Sequence, residues 1–274
     1  MGHQSEVLTV ERDGHVATLW LDDADRRNAM GEAFWSDLPL VMRDLGDDDG
    51  VRAVVIAAKG KHFTAGIDLS MFGTSLDVGG DDTSGVSRRR HFLGEVKRLQ
   101  RSISSVAECT KPVIAAVHGA CIGGGIDLIS ACDVRLCAAN ATFSVRETRM
   151  AMVADVGTLQ RLPRVLAAGH VAELVYTGKD IDATRAKEIG LVNDVLPDHD
   201  AVVAAARTMA AEIAANSPLA VQGSKAILQR GDGLTVDQSL DLVALWNAAF
   251  IQSDDLSEAV TAFFEKRPPE FKGR

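Results

Sequence analysis

The chain lacks the short signatures of the commonest catalytic folds. It holds no GxxxxGK[ST] phosphate loop, no GxGxxG opening a helix after the first strand, no HExxH and no GxSxG, which removes the usual nucleotide, zinc-protease and serine-hydrolase readings. The histidines His3, His15, His62, His91, His118, His170 and His199 never fall at metal-ligand spacing, and His118, beside an apolar run, reads as a hydrogen-bonded core residue. Cysteine is scarce: Cys109, Cys121, Cys132 and Cys137 form no CxxC pair, and three sit in apolar segments where a reduced thiol is a small core residue. A reducing compartment is expected. Positive charge is also short, with 29 Lys and Arg against 38 Asp and Glu for a net −9. Apart from clusters such as Arg88-Arg89-Arg90 the basic residues are scattered, so no nucleic-acid partner is expected. No apolar run is long enough to cross a bilayer, MGHQSEVLTV lacks the flank and core of a secretory signal, and EFKGR carries no peroxisomal or ER address. The expected location is cytoplasmic, away from membranes.

What is present is ample apolar material, 46% of 274 residues, enough for one main domain plus an appendage. Val7 to Glu11 and Val16 to Leu21 are β-type runs joined through Asp13-Gly14, a hairpin signal. A helix is expected over 31–45, and the continuous apolar run 51–58 predicts a strand covered on both faces. Asp68 is placed to cap a short helix from Leu69, and the segment 73–85 reads equally as a surface loop or a lid. Met71, Phe72 and that segment can be the lining of a pocket, or local packing. Further expectations are a helix over 87–108, a strand over 113–117, a helix over 126–131 and a strand over 134–138. From Thr158 onward the pattern is nearly all helical, interrupted by an extended stretch at 193–196.

Two glycine turns follow apolar strands: AGID at 65–68 and GGGID at 123–127. Such turns can aim backbone N–H groups at one oxygen and form an oxyanion hole, or can simply allow a close helix–strand crossing. Between Ala115 and Pro163 stand three carboxylates, Asp127, Glu147 and Asp155. Each has a plain alternative: Asp127 and Asp155 as helix caps, Glu147 as a solvated ion pair with Arg146 or Arg149.

RRNAM at 26–30, HFTAGIDL at 62–69, KPVIAAVHGACIGGGIDLISACDVRLC at 111–137 and DVGTLQRLPRVL at 155–166 together resemble the crotonase, or enoyl-CoA hydratase/isomerase, superfamily over essentially the full length. The resemblance implies an α/β fold, a crotonase-like spiral of ββα units over 1–200, with a helical trimerisation region over 201–274. It implies an acyl-CoA substrate, no separate cofactor or metal, and a homotrimer or dimer of trimers. Oxyanion amides would fall at Ile67 and Gly124, and CoA contacts at Arg26, Ala29, Ala65, Asp68 and, from an adjacent subunit, Lys266. Enoyl-CoA hydratases carry glutamate where Asp127 stands and a glycine-bearing stretch where Ala154-Asp155 stands. The set Asp127, Glu147, Asp155 is instead similar to that of Δ3,5-Δ2,4-dienoyl-CoA isomerases. Alternatives are a hydratase or Δ3-Δ2-enoyl-CoA isomerase with atypical acids, and a non-catalytic RNA-binding or scaffold homologue.

Overall fold

The computed structural model describes residues 3–71 and 85–274; Phe72 and most of the candidate lid, 73–84, lie outside the described residues. β1 (Leu8–Asp13) and β2 (Val16–Leu21) form the hairpin, with Gly14 at φ +54° supplying the turn. α1 (Glu32–Asp47) leads to β3 (Ala53–Ala58), which pairs parallel to β2. β3 shows why its apolar run has no polar alternation: Val54, Ile56 and Ala58 join one buried cluster, and Ala53, Val55 and Ala57 join the other. Both faces of the strand are covered.

α2 (Gly85–Glu108) crosses over to β4 (Val113–Val117), and a tight turn gives β5 (Ala120–Ile122) before α3 (Gly124–Ser130). The next unit repeats this: β6 (Val134–Ala138) pairs with β4, then β7 (Thr142–Ser144) pairs parallel with β5. A 3-10 turn, Glu147–Met150, is followed by α4 (Thr158–Arg161) and α5 (Ala168–Thr177). The large sheet has the order β1-β2-β3-β4-β6-β9, with β9 at Asp194–Leu196; the small one has β5-β7-β8, with β8 at Ile181–Asp182 ahead of α6 (Ala183–Glu188). The chain thus visits the large sheet, then the small one, then a helix, which is the expected spiral.

The small sheet is the part that periodicity missed. Its strands are two or three residues long, too short for alternation to register. Likewise the helical pattern expected from Thr158 onward opens not with one helix but with α4 and a 3-10 turn, Leu162–Arg164, with Pro163 inside it. A proline removes one backbone donor, so the α-helix stops there.

α7 (His199–Ala214) covers the second face of the large sheet with Val202, Val203, Ala206, Ala210 and Ala214. α8 (Pro218–Arg230) is pinned by buried Lys225, whose Nζ donates to Asp133 at 2.7 Å and to the Lys111 carbonyl at 2.9 Å. α9 (Val236–Phe250) and α10 (Asp254–Glu265) follow, and their outward faces are apolar: Leu245 is 69% exposed and Phe263 78%. Among the described residues no helix is long and apolar enough to cross a membrane.

Candidate active site

The two glycine turns meet. Segment 63–68 runs beside β5, with Thr64 N–H donating to the Ala120 carbonyl at 2.9 Å and Ile122 N–H to the Thr64 carbonyl at 3.3 Å. Its other side holds Met30, whose N–H donates to Gly66 at 2.8 Å and whose carbonyl accepts from Asp68 at 3.1 Å. Ile67 is the residue between those two bonds, so its own N–H turns away from Met30. Gly66 sits at φ +90°, and a Cβ there would lie 2.7 Å from the Ile122 carbonyl and 3.7 Å from the Gly124 nitrogen. A Cβ on Gly124 would lie 3.9 Å from the Ile67 nitrogen. The amides of Ile67 and Gly124 are therefore neighbours, and neither donates a hydrogen bond to any described residue.

Asn28 sets the position of Met30. It is buried at φ +51°, a conformation asparagine tolerates better than most residues. Its Nδ2 donates to the carbonyls of Lys59 and His62, each at 2.9 Å, and its Oδ1 accepts from Asp23 N–H at 2.8 Å. The loop carrying Met30 is thereby tied to the chain that leads into the first glycine turn.

Glu147 lies against the second turn: its Oε1 would be 3.2 Å from a Cβ on Gly123, the residue before Gly124. Its Oε2 is buried without a hydrogen-bond partner among the described residues. Burial raises its pKa above the usual carboxylate value, and the Asp155 charge adds to the rise. It makes no ion pair with Arg146 or Arg149; Arg146 pairs with Asp180 instead. Asp155 is exposed as a residue, yet the protein around its carboxyl still raises its pKa by desolvation. Asp127 is wholly buried, and its Oδ1 accepts from Thr158 N–H at 2.5 Å while Oδ2 has no partner among the described residues. Burial, with a further push from Glu147, raises its pKa to about 7. Asp127 thus does hold the first amide of a helix, that of α4, although it belongs to α3. His118 is buried with Nε2 3.0 Å from the Gly60 carbonyl, the arrangement of a core histidine.

Residues 11–274 match the description enoyl-CoA hydratase/isomerase. The chain belongs to that family. Among its relatives in the family, the "Delta(3,5)-Delta(2,4)-dienoyl-CoA isomerase, mitochondrial" of Dictyostelium discoideum is 44% identical over 257 residues, 94% of this chain and 87% of that protein. The peroxisomal protein of the same activity name from Arabidopsis thaliana is 39% identical over 97% of this chain and 96% of that one. The crystal structure of an enoyl-CoA hydratase from Bacillus anthracis superposes with a TM-score of 0.88 at 30% identity, covering 98% of this chain and 100% of that one. The family fold is the crotonase spiral expected from the sequence. The two isomerase names carry mitochondrial and peroxisomal addresses, so they lend nothing to the cytoplasmic expectation.

The structure brings Ile67, Gly124, Asp127, Glu147 and Asp155 into one place. Arg26 and Asp68 form an ion pair beside it, and Asp68 also accepts from Ser70 N–H at 3.0 Å. The amides of Ala29 and Ala65 are already used, donating to Arg26 and Arg27 carbonyls at 3.2 and 3.0 Å, while the exposed Ala65 carbonyl accepts nothing from the described residues. Lys266 lies apart, exposed at φ +55° where α10 ends. Reasoning from residue patterns missed three supporting positions: Asn28 at the first glycine turn, and Thr158 and Arg161 beside the acids. All lie inside the quoted motifs, but nothing in a single sequence separates a clamp from its neighbours. A cavity of about 1060 Å³ lies elsewhere, between α8, α9 and α10.

Proposed function

We propose that the protein isomerises a 3,5-dienoyl-CoA to a 2,4-dienoyl-CoA. The observation that carries this is the setting of the acids at two neighbouring amides that donate to no described residue: the Glu147 carboxyl lies against the Gly123–Gly124 turn, and Asp127 is buried on the Thr158 amide, three residues after Asp155. The thioester oxygen accepts from Ile67 and Gly124. Glu147 takes a C2 proton, and the C–H electron pair moves through C1 onto that oxygen, leaving a conjugated enolate. As the charge flows back, C6 takes the proton of Asp155 and the double bonds settle at C2 and C4. Glu147 ends protonated and Asp155 ionised, so exchange with solvent resets both. A raised pKa suits each, strengthening Glu147 as a base and favouring the protonated form of Asp155. Asp127, by holding Thr158, supports the turn that bears Asp155. Coenzyme A arrives as part of the substrate, with Arg26, Asp68 and the backbone at Ala29 and Ala65 as its cradle and Lys266 reaching it from an adjacent subunit; no separate cofactor is proposed.

The oligomer we propose is a trimer or a dimer of trimers formed through the C-terminal region, 201–274. Its support is the apolar surface of α9 and α10, including Leu240, Leu245, Phe263 and Phe264, which an isolated chain leaves to water. The four thiols are free and buried, which suits a reducing compartment such as the cytoplasm or the mitochondrial matrix. Ultraviolet absorbance decides the reaction: a 3,5-dienoyl-CoA gains the absorbance of a conjugated 2,4-dienoyl thioester, whereas hydration of a 2-enoyl-CoA loses absorbance. Activity only in the second assay would replace this reading with a hydratase. A mobility shift with RNA at physiological salt, with both assays silent, would replace it with the non-catalytic one.

A further inference from the structure

The proposed reaction leaves Arg161 unused, although it is half-buried at the centre of the acid cluster's support. Its Nη2 donates to Ser104 Oγ at 2.9 Å, and its Nη1 donates to the Val156 carbonyl at 3.3 Å. The guanidinium lies against Gly157, where a Cβ would meet Nη1 at 1.8 Å. Gly157 is at φ +137°, so both its conformation and its neighbour require glycine. Gln100, one turn before Ser104 on α2, donates Nε2 to the Asp155 carbonyl at 2.6 Å. Three successive backbone groups are therefore anchored: the carbonyl of Asp155 by Gln100, that of Val156 by Arg161, and the amide of Thr158 by Asp127. The Asp155 carboxyl itself bonds no other described residue, so its direction is inherited from this anchored backbone.

We propose that Arg161 is a positioning residue for proton delivery. It clamps the 155–158 turn to α2 and so aims the Asp155 carboxyl at the distal carbon, without touching substrate. A guanidinium suits the task because one planar fork reaches Ser104 and Val156 at once; an ammonium cannot span both in a fixed geometry. This role rests on the isomerase reading, in which Glu147 acts at C2 and Asp155 at C6. The two half-reactions can be read separately. Reversible proton removal by Glu147 exchanges C2 hydrogen with D2O and needs no correctly aimed Asp155, whereas formation of the 2,4-dienoyl product needs both.

The experiment measures C2 exchange of a 3,5-dienoyl-CoA by mass spectrometry, isomerisation by absorbance, and Tm, on the full-length protein and on Arg161→Lys, Arg161→Met and Ser104→Ala. A misplacement of about 1 Å costs roughly a hundredfold in rate, so Arg161→Met should lose isomerisation by roughly that factor while C2 exchange and KM stay near the parent values. Arg161→Lys should fall between, and Ser104→Ala, which keeps the arginine, should show a smaller loss with the same exchange-to-product imbalance. If exchange and isomerisation fall together in step with Tm, or if Arg161→Met isomerises at the parent rate, the positioning role is wrong. A parent protein that leaves the dienoyl substrate untouched overturns the isomerase reading itself, an outcome distinct from either. Should Arg161→Met fail to fold, the imbalance in Ser104→Ala decides: present, it supports the clamp; absent, it overturns it.

Discussion

Glu147, Asp155 and Asp127 differ in surroundings more than in chemistry, and the separate duties proposed for them rest on that. Glu147→Gln removes the base, so both C2 exchange and isomerisation should drop by roughly a hundred- to ten-thousand-fold. Asp155→Asn should abolish isomerisation while leaving C2 exchange, read by absorbance and by mass spectrometry on the same 3,5-dienoyl-CoA. Retained isomerisation in Asp155→Asn would remove its assignment. Asp127 gives a stability signature. Its folded pKa of about 7 lies above the unfolded value near 3.8, so between those pH values the unfolded chain has lost a proton that the native protein keeps. Stability therefore falls as pH rises through that window, by up to about 4 kcal/mol for a shift of this order, and levels off above it. Asp127→Asn keeps an oxygen for the Thr158 amide and removes the titration. Its Tm should be flatter than the parent's from about pH 4 to pH 7, measured by scanning calorimetry.

At the scale of elements, the hairpin, the covered strands β3, β4 and β6, and the amphipathic α2 were legible because each spans several periods of its own pattern. β5, β7 and β8 were not, since two or three residues carry no period, yet they form the sheet on which the second glycine turn is hung. The turns themselves were legible as turns; that they converge depends on Met30 and Asn28, whose contacts join 28–30 to 59–67 and leave no trace in local pattern. The candidate acids were legible through their joint resemblance to a family motif, whereas Thr158 and Arg161 lay in the same words without marking themselves as supports. Gly66 tests the convergence. Gly66→Ala places a methyl 2.7 Å from the Ile122 carbonyl at φ +90° and must displace one turn from the other. Activity should fall roughly a hundredfold or more, the usual loss for one oxyanion donor. Gly14→Ala, also at positive φ but with nothing within 4 Å, is the control: about 1 kcal/mol of stability lost and activity unchanged.

For the whole molecule, the contrast is between a large sheet buried on both faces and C-terminal helices with apolar flanks in water. α8 is fastened by Lys225 and Asp133, and α10 by buried Asp255, which accepts from Ser217 at 2.7 Å and from Lys272 N–H at 2.7 Å. The helices are held in place from inside while Leu245 and Phe263 face outward. Leu245→Asp combined with Phe263→Asp should shift the sedimentation coefficient from a trimeric or larger particle to a monomer, with near-unchanged circular dichroism. An unaltered sedimentation coefficient would place the interface elsewhere.

The Met30–Ile67 bridge has a further meaning in time. Its two strands of chain, and Gly124 beyond them, approach one another only through contacts distant in sequence, and such contacts cannot form until long loops have closed. The proposed oxyanion hole is therefore absent from a chain that has formed only its local structure. Catalysis reports completion of the native state, while helix content reports only its beginning.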